Sequence, residues 1–229
     1  MKKVVVITGA SSGIGREIAK LFLEKDYILI LSGRNGEGFE YVKNKTDVEV
    51  ILGDITKKEI REKIKDLVVN KYKSVDIIIN NAGITFVQPF EDNTEEELIK
   101  LFEISLKTPM LLTHDLYGLM KNNKSGTIVF INSAAGKQGY PNHTMYSAMK
   151  FGLNGFSQSL RLEARKHGIR VISIHPGGVK TPMYTNAKIK PDINQYMEPK
   201  KVAEIVVYLC ETAGLSPDEI SISRTQFQL

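Results

Sequence analysis

Residues 4–22 read VVVITGASSGIGREIAKLF, and the change of character at Thr8 decides the fold. Val4, Val5, Val6 and Ile7 are β-branched and apolar at successive positions, the pattern of a strand covered on both faces. Residues 8–15, TGASSGIG, then place three glycines and two serines in eight positions. From there Ile14, Ile18, Leu21 and Phe22 recur at helical spacing. Strand, glycine turn and helix in that order form the first half of a parallel crossover unit. The turn, with Gly9, Ser11, Ser12, Gly13, Ile14 and Gly15, lets the backbone approach a pyrophosphate at the helix N-terminus, where N–H groups and the positive dipole end favour an anion. The spacing is TGxxxGxG with no Lys followed by Ser or Thr, which disfavours a nucleoside-triphosphate loop.

Outward from this unit, β-branched runs recur at 27–32, 48–52, 75–80, 127–132, 170–175 and 219–223. Helical spacing fills the gaps at 13–25, 37–43, 57–71, 94–121, 144–167 and 199–213. Strict alternation and right-handed crossovers predict an α/β fold: a doubly wound, Rossmann-like parallel sheet of about seven strands with helices on both faces. With 229 residues and no repeat or low-complexity linker, the chain reads as one dinucleotide-binding domain spanning 1–229. The irregular stretch 177–198 reads as a substrate loop.

Composition supports a globular domain, with 42% hydrophobic and 25% charged residues. The formal charge of +5 comes from 31 basic residues scattered among 26 acidic ones, so no basic face for nucleic acid is expected. The single Cys210 lies in an apolar stretch and reads as a buried thiol. The start, MKKVVVITG, runs into a glycine turn instead of a cleavage site, and no stretch has the length of a membrane span. A cytoplasmic protein without membrane partners is expected. His114, His143, His167 and His175 show no metal-ligand spacing, so no metal is assigned.

Further motifs accompany the glycine turn: Asp54 after the third strand, NNAG at 80–83, Ser133 after the fifth strand, YSAMK at 146–150 and HPGGVKTPM at 175–183. In this order and spacing the chain resembles the short-chain dehydrogenase/reductase family. The resemblance implies an oxidoreductase that moves a hydride between a nicotinamide cofactor and a carbonyl or alcohol. It implies that Asp54 and Ile55 flank the adenine, that Asn80, Ala82 and Gly83 line the ribose and the adjoining cofactor backbone, and that Pro176, Gly177, Val179 and Thr181 meet the nicotinamide carboxamide. Asp54 before Thr56 also suits a helix cap, and NNAG a tight turn. Where a carboxylate often reads the ribose 2′-hydroxyl, this chain has Ser32, Gly33 and Arg34; a guanidinium there suits a 2′-phosphate. NADP(H) is therefore preferred, with NAD(H) still admissible. A solvated turn residue is the alternative for Arg34.

Tyr146 and Lys150, four apart in a helical segment, project from one face. Lowering a tyrosine from about 10 to about 7 takes roughly 4 kcal/mol, which one ammonium about 4 Å away supplies at an effective dielectric near 20. Taken alone, such a pair is also an ordinary exposed helix face. By resemblance, Ser133 binds the substrate oxygen, Tyr146 is the general acid/base and Lys150 also holds the nicotinamide ribose. The family's fourth member, an asparagine supporting the proton path, falls by count from Gly83 on Ser105. Ala134, Ala135, Gln138, Tyr140, His143, Met183 and Tyr184 are candidates for selecting a small ketone, 3-oxoacyl or 3-hydroxy acid substrate. Family pairing through 94–121 and 144–167 implies a homodimer or homotetramer, although the usual glycine-rich ending is replaced here by 221–229. The Ser105 departure leaves a second function open, a cofactor-binding sensor or scaffold with little turnover.

Overall fold

The computed structural model describes residues 2–185, 187–212 and 214–224. Ala213, where the last predicted helix ends, and the terminal stretch 225–229 lie outside the described residues. Seven strands form one all-parallel sheet in the order β3-β2-β1-β4-β5-β6-β7. They are β1 (Lys3–Thr8), β2 (Tyr27–Gly33), β3 (Val48–Leu52), β4 (Ile77–Asn80), β5 (Gly126–Ile131), β6 (Ile169–Pro176) and β7 (Glu219–Ile222). The order reverses between β1 and β4, so a crevice opens there at the carboxyl ends of the strands, the usual ligand position in such sheets.

The pleat explains the near-continuous apolar strands, because alternate residues serve opposite cores. Val5, Ile7, Leu29 and Leu31 pack with α1 (Gly13–Leu23) and α6 (Pro199–Glu211) through Ile18, Phe22, Val202 and Val206. Val4, Val6, Ile30, Ile78 and Phe130 pack on the other face with α2 (Lys58–Asp66), α4 (Thr108–Asn123) and α5 (Thr144–Arg165) through Ile64, Leu112, Leu116 and Leu153. Each fully buried side chain of this kind contributes about 1.5–3 kcal/mol. Cys210 is a free, buried thiol of the first core, and burial pushes its pKa up to about 12.

Three predicted helices depart from regular α-helix. The segment 37–43 forms only a 3-10 helix, Glu37–Val42. The predicted helix 94–121 is α3 (Glu95–Phe102), a wider π segment (Glu103–Lys107) and α4. A capping box between Thr94 and Glu97 starts it. Pro109 explains the widening: it has no N–H for the Ser105 carbonyl one turn back, and its ring crowds that carbonyl. The helix over 57–71 likewise ends in a π segment, Leu67–Tyr72, closed by left-handed Lys73.

Candidate active site

The turn after β1 is shaped by close approach. Gly9 and Gly13 have φ of +67° and +55°, and a Cβ on Gly15 would lie 2.3 Å from Asn81 Nδ2 and 2.6 Å from the Gly9 carbonyl. The turn is tied to the end of β4. Thr8 Oγ1 accepts the N–H groups of Asn81 and Ala82 at 3.0 Å each, and Asn81 Nδ2 donates to the carbonyls of Thr8 (2.8 Å) and Gly9 (3.2 Å). Ser12 caps α1 in an extended conformation with its hydroxyl uncommitted, and no acidic residue occupies the first turn. The N–H groups opening α1 are left for an anion. Around them, Ser11 packs against Gly33 at the end of β2, Thr181 lies over Gly13, and the Met183 methyl faces Gly83. Next to Gly33, Arg34 is exposed and makes no hydrogen bond or ion pair among the described residues. Glycine cradle and open helix end together fit a dinucleotide.

Beyond the cradle, Ser133 lies two residues past β5, its Oγ accepting the Ala135 N–H at 3.1 Å. The N-terminal turns of α5 carry Tyr146 and Lys150 over it, 8% and 3% exposed. Burial pushes the Tyr146 phenol up to about 12, opposed by the hydroxyl of Ser133, which favours the phenolate. Burial pulls Lys150 down from 10.5 to about 8. Its ammonium donates to the Ile131 carbonyl at 3.1 Å and lies 5.7 Å from the Tyr146 ring centroid. Lys150 does not contribute the expected lowering of the phenol, because its ammonium is turned to the end of β5. Aromatic rings flank the phenol: His143 has its centroid 6.0 Å from Tyr146, Tyr140 stands behind His143, and Tyr184 packs edge-on against Tyr196 at 5.5 Å. Phe86, Met145 and Met149 complete this apolar wall.

A family model for short chain dehydrogenases matches residues 3–192. The chain belongs to the short-chain dehydrogenase family. Like the family, it is an oxidoreductase working between CH–OH and C=O groups. A sepiapterin reductase of Chlorobaculum tepidum is 29% identical over 96% of this chain and 100% of its own length. The 3-ketoacyl-(acyl-carrier-protein) reductase of Brucella melitensis, solved with NADH, is 25% identical with a TM-score of 0.87, covering 96% of each chain. A variant of actinorhodin polyketide ketoreductase, solved with NADPH, is 28% identical with a TM-score of 0.86, covering 97% of this chain and 96% of its own. Nicotinamide-bound structural relatives agree with the dinucleotide cradle.

In this short-chain dehydrogenase the glycine loop lies against Ala82 and Thr181, and Met183 reaches Gly83. Pro176 and Gly177 end β6, the Gly177 N–H bonding the Ile222 carbonyl at 2.9 Å. Val179 is buried and pairs with Met197, closing the root of the 177–198 loop, while the Ile189 N–H reaches the Val87 carbonyl at 3.0 Å. Asn80, Ile55 and Asp54 each have protein partners of their own. The Asn80 side chain donates to Thr113 on α4 at 3.1 Å, under the sheet, and Asn81 takes the place beside the glycines. Ile55 belongs to the α2-side core. Asp54 accepts from Thr56 through N–H (3.0 Å) and hydroxyl (2.9 Å), a turn of its own before α2, whose N-cap is Lys57. Ser105 sits in the π segment, 1% exposed, its hydroxyl making no hydrogen bond among the described residues. Sequence reading missed Asn81 and His175. The double asparagine before Ala82 was a signal for the first; a histidine ending an otherwise apolar strand was the only one for the second. Among the described residues no cluster of His, Cys, Asp or Glu forms a metal site, and no helix is long and apolar enough to cross a membrane.

Proposed function

We propose that this protein is an NADP(H)-dependent carbonyl reductase or alcohol dehydrogenase in which Tyr146 exchanges the proton with the substrate oxygen. The observation carrying the reading is the buried Tyr146 phenol facing the Ser133 hydroxyl, with Lys150 one helical turn on, at the end of a glycine cradle. The bound nicotinamide supplies or accepts the hydride. Ser133 orients and polarises the substrate oxygen. Tyr146, held protonated by burial, donates its proton as the oxygen gains negative charge, and the reverse direction uses the same groups. Lys150 is the member of the set that titrates close to neutrality, so it suits replenishing the phenol's proton from solvent and holding the cofactor ribose. Gly9 to Gly15 receive the pyrophosphate, and Arg34, with Ser11 beside it, receives the 2′-phosphate. Asp54 and Ile55 are assigned to the adenine side, Asn81, Ala82 and Gly83 to the ribose, and Pro176, Gly177, Val179 and Thr181 to the carboxamide. Ser105, with an uncommitted hydroxyl and a carbonyl denied its usual donor by Pro109, stands where a relay water would be held.

The apolar wall of Phe86, Tyr140, His143, Met145, Met149 and Tyr184 favours small, weakly polar ketones or oxoacyl compounds over strongly anionic substrates. The loop 177–198 covers them. We assign the protein to the cytoplasm as a homodimer or homotetramer joined through α4 and α5, which leave Met110, Phe151 and Leu162 exposed. The test is oxidation of NADPH by purified protein with a panel of ketones and oxoesters. Cofactor binding without any turnover across the panel would favour the sensor reading.

A further inference from the structure

His175, on the last turn of β6 before Pro176, is 1% exposed and has no part in the chemistry assigned above. Its Nδ1 lies 3.0 Å from the carbonyl oxygen of Ser133. A carbonyl only accepts, so Nδ1 carries the hydrogen. That carbonyl also accepts the Gly136 N–H at 2.9 Å, so both lone pairs are engaged, one by the Ala134–Gly136 turn and one across the sheet by β6. With the Ser133 hydroxyl accepting from Ala135, the residue is held on every side. Nε2, in contrast, makes no hydrogen bond among the described residues and lies 4.0 Å from Glu219 Oε2. Leaving a buried ring nitrogen unpaired is unfavourable, so the histidine's presence here is accounted for by its other nitrogen.

We propose that His175 is a positioning residue: its Nδ1–H fixes the Ser133 peptide and thereby aims the Ser133 hydroxyl at the point where Tyr146 and the substrate oxygen meet. The proposal rests on the active-site reading of Ser133 given above. The surroundings keep the ring neutral. Burial acts first and outweighs the Ser133 carbonyl, whose bond favours the charged ring; Lys137, Lys150 and Arg161, facing it from the β5–α5 connection and from α5, also oppose a further positive charge, and the pKa falls to about 4. Among the described residues Glu219 on β7 is the carboxylate facing the ring, and it is engaged by Lys137. The single tautomer is therefore held across neutral pH.

The test uses full-length protein with His175→Leu, His175→Asn, Ser133→Ala and the Leu/Ala double variant, assayed for NADPH oxidation with diacetyl and ethyl acetoacetate. Asparagine keeps an N–H near the Nδ1 position; leucine does not. We expect His175→Leu to lower kcat roughly ten- to a hundredfold, the scale of a small misplacement of a reacting group, with NADPH Kd unchanged and His175→Asn recovering most of the loss. In the Ser133→Ala background the leucine substitution should cause no further fall. Losses that multiply in the double variant, or an asparagine variant as slow as leucine, would overturn the proposal. Nitrogen-detected spectra of the imidazole, assigned by comparison with His175→Asn, give a second readout that needs no substrate. They should show Nδ1 protonated and Nε2 bare at neutral pH; the other tautomer or a cationic ring refutes the assignment. A Ser133→Ala protein with undiminished turnover would instead refute the active-site reading, while the spectra still judge the His175 bond.

Discussion

Lys150→Met is expected to make the protein more stable while removing its activity. The ammonium is 3% exposed, and burial takes its pKa from 10.5 to about 8. At about 1.4 kcal/mol for each tenfold change, holding it charged in the fold costs about 3 kcal/mol at pH 7. Methionine of similar length avoids that cost but forfeits the bond from the charged ammonium to the Ile131 carbonyl, a loss of about 2 kcal/mol. The balance is about 1 kcal/mol in favour of the variant, or roughly 2–4 °C in Tm for a chain of this size. The pH dependence carries the sign. Because the folded pKa lies below the unfolded one, the unfolded chain binds more protons between pH 8 and 10.5. The wild type therefore gains stability relative to the variant as pH rises through that window, and the difference is constant below it. Denaturant unfolding of both proteins without cofactor, at pH 7 and again near pH 10, measures this. A variant less stable than wild type at pH 7, or an advantage unchanged at high pH, would refute the reasoning.

Arg34→Glu should weaken NADPH by about tenfold or more and NADH far less, since it exchanges a charge-assisted phosphate donor for a repelling carboxylate; equal losses in fluorescence titration would remove Arg34 as the phosphate reader. Tyr146→Phe is expected to nearly abolish turnover with NADPH Kd close to wild type, and a wild-type rate would overturn the proton assignment. Ser105→Asn should preserve the fold and maintain or raise turnover, because asparagine adds donors at the widened turn; a well-folded variant with sharply reduced turnover would count against a relay there. Light scattering at micromolar concentration should give a dimer or tetramer mass, and a monomer would reject pairing through α4 and α5.

The sheet, its seven strands and the two helical layers were readable because strand and helix periodicities alternate without ambiguity from Val4 to the end of β7. The spacing of four placed Tyr146 and Lys150 on one face of a helix, and both are buried on α5. What periodicity could not give was direction. Asn80 and Asn81 are identical letters, yet the pleat sends the first under the sheet to Thr113 and leaves the second to lace the glycine turn. Spacing likewise put Lys150 beside the phenol without revealing that the open carbonyl at the end of β5 would claim its ammonium. Pro109 was a visible signal for the break in the helix over 94–121, and only its relation to the residue four earlier gives it meaning.

The lacing between Thr8 and Asn81 has a consequence for how the protein folds and is degraded. Its two ends lie on neighbouring strands but are separated by the whole β2–β3 half of the domain, so the phosphate cradle comes into being only after β4 has docked on β1. No fragment or partly opened form that has shed β4 retains it. Cofactor affinity is consequently spent on global cooperativity: at a hundredfold excess over Kd, binding holds the central strands together with about 2.7 kcal/mol, and the apo protein should be disproportionately easy prey for proteases.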